Sequence, residues 1–312
     1  HISADGKRTS TGAWPNGGTS SDGRIWIWDY DESTASWGTY NTTGEFVAGN
    51  SYIIRGSEVV GGTWGGWGTR IMSSDGNTIA WYRNTSSTAG NIRVVKYNPE
   101  THEWGAFNTS GVFTKNTVYN LDMSSTTSRY ARKVQLSHDG NTLFTSGHYD
   151  HTRGRTYIWK YNAETHEWGK WNADGSFVTE AYSTEKTGVP IHYGHGSAAS
   201  VDGKLFVASG HHSVGQAYIW QYDEETAKWG GFDASESFTE NQPHLINYSG
   251  AAIFSEVFMS PDGLFIFHKQ GETVHFYQGV SKGVSSIGAS SDTSSALRTI
   301  SSDPPTDDLV LW

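Results

Sequence analysis

The sequence predicts an all-β chain, a β-propeller of four-stranded antiparallel blades. Three features predict it. Four segments repeat in one register, Asp-Gly turns return at long and nearly even intervals, and helical periodicity is nowhere sustained.

The repeated segments read GRIWIWDYDESTASWGTYNTTGEFV, NIRVVKYNPETHEWGAFNTSGVFT, RTYIWKYNAETHEWGKWNADGSFVTE and QAYIWQYDEETAKWGGFDASESFTE. Their anchors are Tyr30, Tyr97, Tyr161 and Tyr222. One residue on stands Asp31, Asn98, Asn162 or Asp223, and four on stands a threonine. Trp37, Trp104, Trp168 and Trp229 follow, each with a glycine after it. An aromatic comes next (Tyr40, Phe107, Trp171, Phe232), then Phe46, Phe113, Phe177 or Phe238. Each segment reads as two strands joined by an acidic or amide turn.

A short apolar run closed by Ser-x-Asp-Gly precedes each segment: ISADG, IMSSDG, QLSHDG, SVDG and FMSPDG. Asp-Gly between apolar runs predicts a tight hairpin, because glycine takes positive φ freely. The aspartates are Asp5, Asp75, Asp139, Asp202 and Asp262, spaced roughly 60 to 70 residues apart. Each unit thus holds a strand before the turn, one after it, the Ile-Trp-x-Tyr strand and the Trp-Gly strand. A connection of roughly 20 to 30 residues then leads to the next unit. A fifth tyrosine segment, TVHFYQ around Tyr277, is degenerate and lacks Trp-Gly.

One such sheet cannot bury both faces alone, whereas radial stacking buries each against a neighbour. Five turn signals predict five blades, at about 1–47, 66–114, 130–178, 193–239 and 252–290, in a single domain over 1–312. The tail ALRTISSDPPTDDLVLW is similar to the first two strands of a unit. Residues 296–312 are thus a closing segment, or the start of a sixth blade. A β-sandwich would not explain four copies in one register, and solenoid repeats are usually shorter.

The pattern of apolar-Ser-x-Asp-Gly, glycine-rich loop, Tyr-Ile-Trp-x-Tyr and Trp-Gly resembles the integrin-alpha-type (FG-GAP-like) propeller repeats of microbial and viral surface proteins. That resemblance covers most of residues 1–278 and implies surface attachment, protein or glycan recognition, or a structural role. Integrin-type blades often carry an Asp-x-Asp-x-Asp-Gly calcium loop, and no such run exists here.

Composition narrows the function classes. The net charge is -10 with no basic run, which argues against nucleic-acid partners bound through phosphates. No apolar stretch is long enough for a membrane-inserted helix. With no cysteine, thiolate metal sites and cysteine nucleophiles are excluded. The chain starts at HISADG and stops at DDLVLW, both strand-like, so a processed or longer polypeptide with neighbouring domains is expected.

Candidate ligand-binding residues are Trp64 and Trp67, set among glycines that leave their rings open, with Tyr130, His192, Tyr193 and His195 in loops outside the repeated positions. Trp14 and Tyr82 also stand outside those positions, with filling gaps between blades as the alternative role. Histidine-rich loops make His148, Asp150, His151 and His211 the candidate divalent-metal ligands; no other cofactor is expected. His148 and His211 follow their Asp-Gly turns at the same offset.

A glycoside hydrolase would need two carboxylates across a cleft. Most acidic residues instead recur in the hairpin turn, which fits turn chemistry. Glu256, on an inner-strand candidate, is the exception considered for an axial acid. No nucleophile elbow, Walker loop or His-Glu-x-x-His occurs. The expected function is therefore a non-catalytic recognition, adhesion or structural module on a cell surface or virus particle, with a protein or glycan partner. A lectin with aromatic sugar-stacking sites and a propeller-type glycoside hydrolase are the alternatives.

Overall fold

The computed structural model describes residues 1–13, 24–55, 70–84, 90–122, 131–147, 153–187, 196–209, 215–232, 237–248, 255–260, 263, 265–270 and 273–278. Every element among them is a strand, and the strands form five antiparallel sheets. The first sheet holds β1 (Arg8–Ala13), β2 (Arg24–Asp31), β3 (Ser36–Tyr40), β4 (Phe46–Ala48) and β5 (Tyr52–Arg55). The second holds β6 (Arg70–Met72), β7 (Thr78–Asn84), β8 (Gly90–Asn98), β9 (Glu103–Phe107), β10 (Phe113–Lys115) and β11 (Tyr119–Asp122). The third repeats this with β12 (Ala131–Leu136), β13 (Thr142–Gly147), β14 (Arg153–Asn162), β15 (Glu167–Trp171), β16 (Phe177–Val178) and β17 (Tyr182–Thr187). The fourth holds β18 (Ser197–Ala199), β19 (Leu205–Ser209), β20 (Gly215–Asp223), β21 (Lys228–Phe232), β22 (Phe238–Glu240) and β23 (His244–Tyr248). The fifth shows β24 (Ser255–Met259), β25 (Phe265–Gln270) and β26 (Thr273–Gln278).

The four strands expected from sequence are present in each of the second, third and fourth sheets. The connection to the next unit, however, contains two further short strands. The reason lies in the long Ile-Trp-x-Tyr strand, whose two halves take different partners. In β14, Lys160–Asn162 pair with β15, whereas residues 153–158 pair with β17. The Trp-Gly strand is too short to cover its neighbour, and the sixth strand fills the rest of that lane. In the first sheet, among the described residues, β1 has only the bridge Ile2↔Thr9 on its far side.

Four apolar clusters each join two successive sheets. Ile25, Ile27 and Ile54 of the first sheet meet Ile79, Trp81 and Trp104 of the second. Val94 and Leu121 of the second meet Tyr157 and Trp159 of the third. Phe144 of the third stacks on Phe206 of the fourth, with ring centroids 4.9 Å apart. Val207 and Ile219 of the fourth meet Val257 and Ile266 of the fifth. The chain is therefore a β-propeller in which each seam between sheets is a separate piece of core. Burial of one such large side chain contributes about 1.5–3 kcal/mol.

The Trp-Gly pair has a steric cause. A β-carbon on Gly169 would lie 2.0 Å from the Val178 carbonyl oxygen and 2.8 Å from the ring of Phe177. Only glycine lets the β15–β16 hairpin close that tightly, and the Phe177 ring lies over the bare backbone. Trp171 then packs against Phe177 at 5.0 Å. The same aromatic pair recurs at Phe107–Phe113 and Phe232–Phe238.

Each described Ser-x-Asp-Gly turn is wired alike. Ser137 Oγ donates to Asp139 (2.6 Å), Asp139 accepts from the Asn141 amide (3.0 Å), and Ser137 Oγ accepts from the Thr142 amide (2.9 Å). The turns also join the sheets. The Ala4 amide donates to the Ser74 carbonyl (2.7 Å), the Asp75 amide to the His138 carbonyl (3.0 Å), and the His138 amide to the Val201 carbonyl (2.8 Å). A turn predicted as a local hairpin is thus also a link between blades.

The fifth sheet corrects the alignment of Tyr277. Leu205 pairs with Gln221 and Phe206 with Trp220, whereas Phe265 pairs with Gln278 and Ile266 with Tyr277. Tyr277 therefore occupies the tryptophan position of Ile-Trp-x-Tyr, not the anchor-tyrosine position.

Candidate functional site

The residues proposed from sequence as ligand contacts, Trp64, Trp67, Tyr130, His192, Tyr193 and His195, lie outside the described residues. So do the proposed metal ligands His148, Asp150, His151 and His211, and so does Trp14. Among the described residues no group of three or more His, Asp or Glu side chains could hold a metal ion. Tyr82 is 3% exposed and belongs to the core between the second and third sheets, so it fills a gap between blades. Glu256 stands in β24, opposite Lys269 in register.

Much of the conspicuous chemistry serves the seams. Arg8 lies over the Tyr97 ring at 3.8 Å, Lys96 over Tyr161 at 4.2 Å and Lys160 over Tyr222 at 3.3 Å. In each case a cation of one sheet covers the anchor tyrosine of the next. Lys96 and Lys160 immediately precede their own sheets' anchors; Asp29 holds that place in the first sheet, and Arg8 pairs with it at 2.5 Å. Gln221 holds it in the fourth sheet, before a fifth whose anchor position falls beyond Gln278. Burial pushes the Lys96 and Lys160 ammonium groups down to about 8. Burial also raises Tyr97, Tyr119 and Tyr161.

The seam between the second and third sheets opens into a cleft of about 480 Å³. Its walls include Phe107, Asn108, Asn120, Asp122, Glu167 and Trp168. β11 brings Asn120 and Asp122, and β15 brings Glu167 and Trp168. Tyr119 braces the entrance: its hydroxyl accepts from the Phe107 amide at 2.9 Å and meets the Tyr161 hydroxyl at 3.3 Å. His166 stacks on Phe107 with centroids 5.0 Å apart and shares a hydrogen bond with Tyr161 at 3.0 Å.

Comparison with the other seams shows what is unusual. Beside each Trp-Gly tryptophan, the residues six and eighteen after the anchor can be compared from copy to copy. In the second sheet they are Glu103 and Lys115, paired at 3.2 Å. In the fourth they are Lys228 and Glu240, paired at 2.6 Å with the charges exchanged. In the first they are the uncharged Ser36 and Ala48. In the third they are Glu167 and Thr179, both lining the cleft, and the Glu167 carboxylate has no ion pair or hydrogen bond among the described residues. Asp122 is likewise unpaired among them and stands where the first sheet has Arg55, as the register of β11 on β8 and of β5 on β2 shows. Trp168 is 4% exposed, and its indole N–H is buried without an acceptor.

The cleft thus gathers the half-buried Glu167 and the exposed Asp122, neither paired with a cation among the described residues, together with exposed amides and aromatic rings; the Trp168 indole N–H lies beneath its surface. Sequence reasoning did not single out Asp122, Glu167 or Thr179. The signal was there: the copies disagree at the sixth and eighteenth positions, and only the third leaves a charge unmatched.

No family model matches the chain, and no curated protein matches it. Solved structures do. A candidate 6-phosphogluconolactonase from Bacteroides uniformis is 14% identical with a TM-score of 0.50, over 95% of this chain and 68% of that one. A candidate 6-phosphogluconolactonase from Bacteroides fragilis is 12% identical with a TM-score of 0.42, over 96% and 82%. TolB from Acinetobacter baumannii is 12% identical with a TM-score of 0.42, over 91% of this chain and 51% of its own. At these identities the first likeness carries the fold alone.

Proposed function

We propose that the chain is a recognition module without catalysis of its own, and that it binds a ligand in the cleft between the second and third sheets. One observation carries this reading. The corresponding positions in the second and fourth sheets hold ion pairs and those of the first hold no charge, whereas the third leaves its groups unmatched around an open volume. Glu167 is half-buried and Asp122 exposed, both on the wall of the cleft, and a ligand seated there would give each carboxylate the partner it lacks among the described residues. The mix of rings and amides suits a glycan, in keeping with surface recognition.

The test is a screen of the full chain against glycan and peptide arrays, with Asp122→Ala alongside. Capture weakened at least tenfold by the substitution is the expected result. Capture unchanged by it would move the site elsewhere, and turnover of a glycan or a sugar lactone by the wild-type chain would end the non-catalytic reading.

A further inference from the structure

We infer that Lys96 and Asn141 join covalently: the Lys96 amine displaces ammonia from the Asn141 carboxamide and leaves an isopeptide bond between the second and third sheets. The site lies within the seam and needs no ligand.

A nucleophile is held here against its acceptor. Lys96 Nζ donates to Asn141 Oδ1 at 2.9 Å, and the amide carbon is one bond beyond that oxygen. A second hydrogen bond, to Thr78 Oγ1 at 3.3 Å, fixes the end of the lysine chain, and Thr78 is fully buried. Asn141 Nδ2 donates to Asp139 Oδ2 at 3.0 Å. The carboxamide is therefore held with its nitrogen toward Asp139 and its oxygen toward Lys96. The rings of Tyr161 and Trp168 shield Nζ, with centroids 4.2 and 5.6 Å away. Contact of this kind replaces a high concentration of free amine. Burial outweighs the nearby Asp75 and Asp139 carboxylates and brings Lys96 down to about 8, which supplies neutral amine near neutral pH.

The step balances without a co-reactant. The neutral Lys96 nitrogen attacks Asn141 Cγ, and the Cγ–Nδ2 bond breaks. The proton shed by the attacking nitrogen passes through the Asp139 carboxylate to Nδ2, which leaves as ammonia. Asp139 is exposed, so the ammonia escapes on that side. One amide replaces an amine and a carboxamide, and the chain is lighter by one ammonia. Lys96 then titrates only in chain that has not reacted, whereas Lys160 titrates throughout.

The other seams are internal controls. The residue after each Asp-Gly turn is Lys7, Asn77, Asn141, Lys204 or Leu264. Asn77 accepts from Arg8 at 2.9 Å, and a guanidinium that stays charged does not attack. Lys160 is also brought down to about 8, but Lys204 stands at the place of the carboxamide. Gln221 offers the next seam no amine. Among the described seams, only that between the second and third sheets brings an amine and a carboxamide together.

The test is mass spectrometry of the full chain, intact and after trypsin, following incubation at about pH 9, where the Lys96 amine is largely neutral. The chain should be one ammonia lighter than its sequence, and a peptide containing Lys96 should be joined to one containing Asn141. Lys96→Arg and Asn141→Ala should each abolish both signals, and Lys160→Arg should change neither. Asp139→Asn should slow the loss at least tenfold. Circular dichroism like that of the wild type separates lost chemistry from a lost fold. An unchanged wild-type mass would overturn the bond. So would ammonia lost without joined peptides, which is an asparagine cyclising on its own backbone, or a loss that survives Lys96→Arg. Loss at the wild-type rate in Asp139→Asn would overturn the proton relay.

Discussion

Gly140 stands against Thr78 across the seam between the third and second sheets: a β-carbon on the glycine would lie 2.3 Å from the threonine hydroxyl oxygen. Thr78 is fully buried and cannot swing away, and Gly140 has a φ of 64°. Gly140→Ala therefore meets a clash and a left-handed backbone at once, and should cost about 3 kcal/mol or more. Gly6 holds the same turn position with a φ of 71° and nothing within 4 Å of the added carbon. Gly6→Ala should cost only about 1 kcal/mol. Urea unfolding of both variants checks the difference, and equal costs would show that the seam yields.

Trp37 and Trp104 hold the same repeat position but are 38% and 1% exposed. The second is covered by the first sheet and its Arg8; the first stands outside the four described seams. Trp104→Ala should cost about 3–5 kcal/mol, and Trp37→Ala less than about 1.5 kcal/mol. Comparable losses would mean that the Trp37 face is packed in solution.

Arg8 and Asp29 form an ion pair whose side chains are 13% and 11% exposed. Arg8→Met strands the carboxylate and should cost about 3–5 kcal/mol. Asp29→Asn leaves Arg8 its bonds to the Gly76 carbonyl and Asn77, and its place over Tyr97. That change should cost roughly half as much. A double-mutant cycle reads the coupling directly, and a coupling near zero would refute the clamp.

Stability should rise as pH increases from about 8 toward 10. Lys96 and Lys160 titrate at about 8 in the fold and at 10.5 when unfolded. Below pH 8 both states are charged, so the full cost of burying the ammonium groups is felt. Between the two values the unfolded chain holds more protons, so raising the pH favours the fold. Above pH 10 the sign reverses, because Tyr97, Tyr119 and Tyr161 are raised above the 10.0 of the unfolded chain. An optimum at about pH 9–10 is expected in urea midpoints. Lys96→Met with Lys160→Met should flatten the rise; a wild-type midpoint that falls steadily from pH 7 would contradict it.

The blades were legible because packing repeats: Trp104, Trp168 and Trp229 meet the same kind of seam, so selection for that seam leaves the same letters at the same spacing. Gly169 and Phe177 were legible as a pattern before their steric cause was visible. β5, β11 and β17 were not, since they are short strands that borrow their register from half of a longer one, with no motif of their own. The cleft escaped notice for the opposite reason to the blades. It depends on Glu167 losing a lysine that other copies possess, and a missing partner leaves no signature in the copy that lacks it. Aromatic and histidine content directed attention to loops, whereas the open chemistry among the described residues lies within the repeat.

The amide-to-carbonyl links from Ala4 through Ser74, Asp75 and His138 to Val201 give the molecule two kinds of continuity. One is covalent and runs out along each sheet and back. The other is a short inner thread from turn to turn that bypasses the sheets. A cut in the covalent path between two of these sheets would leave the thread and the cation-capped tyrosines holding the halves together, so the fragments would stay mated as a split protein.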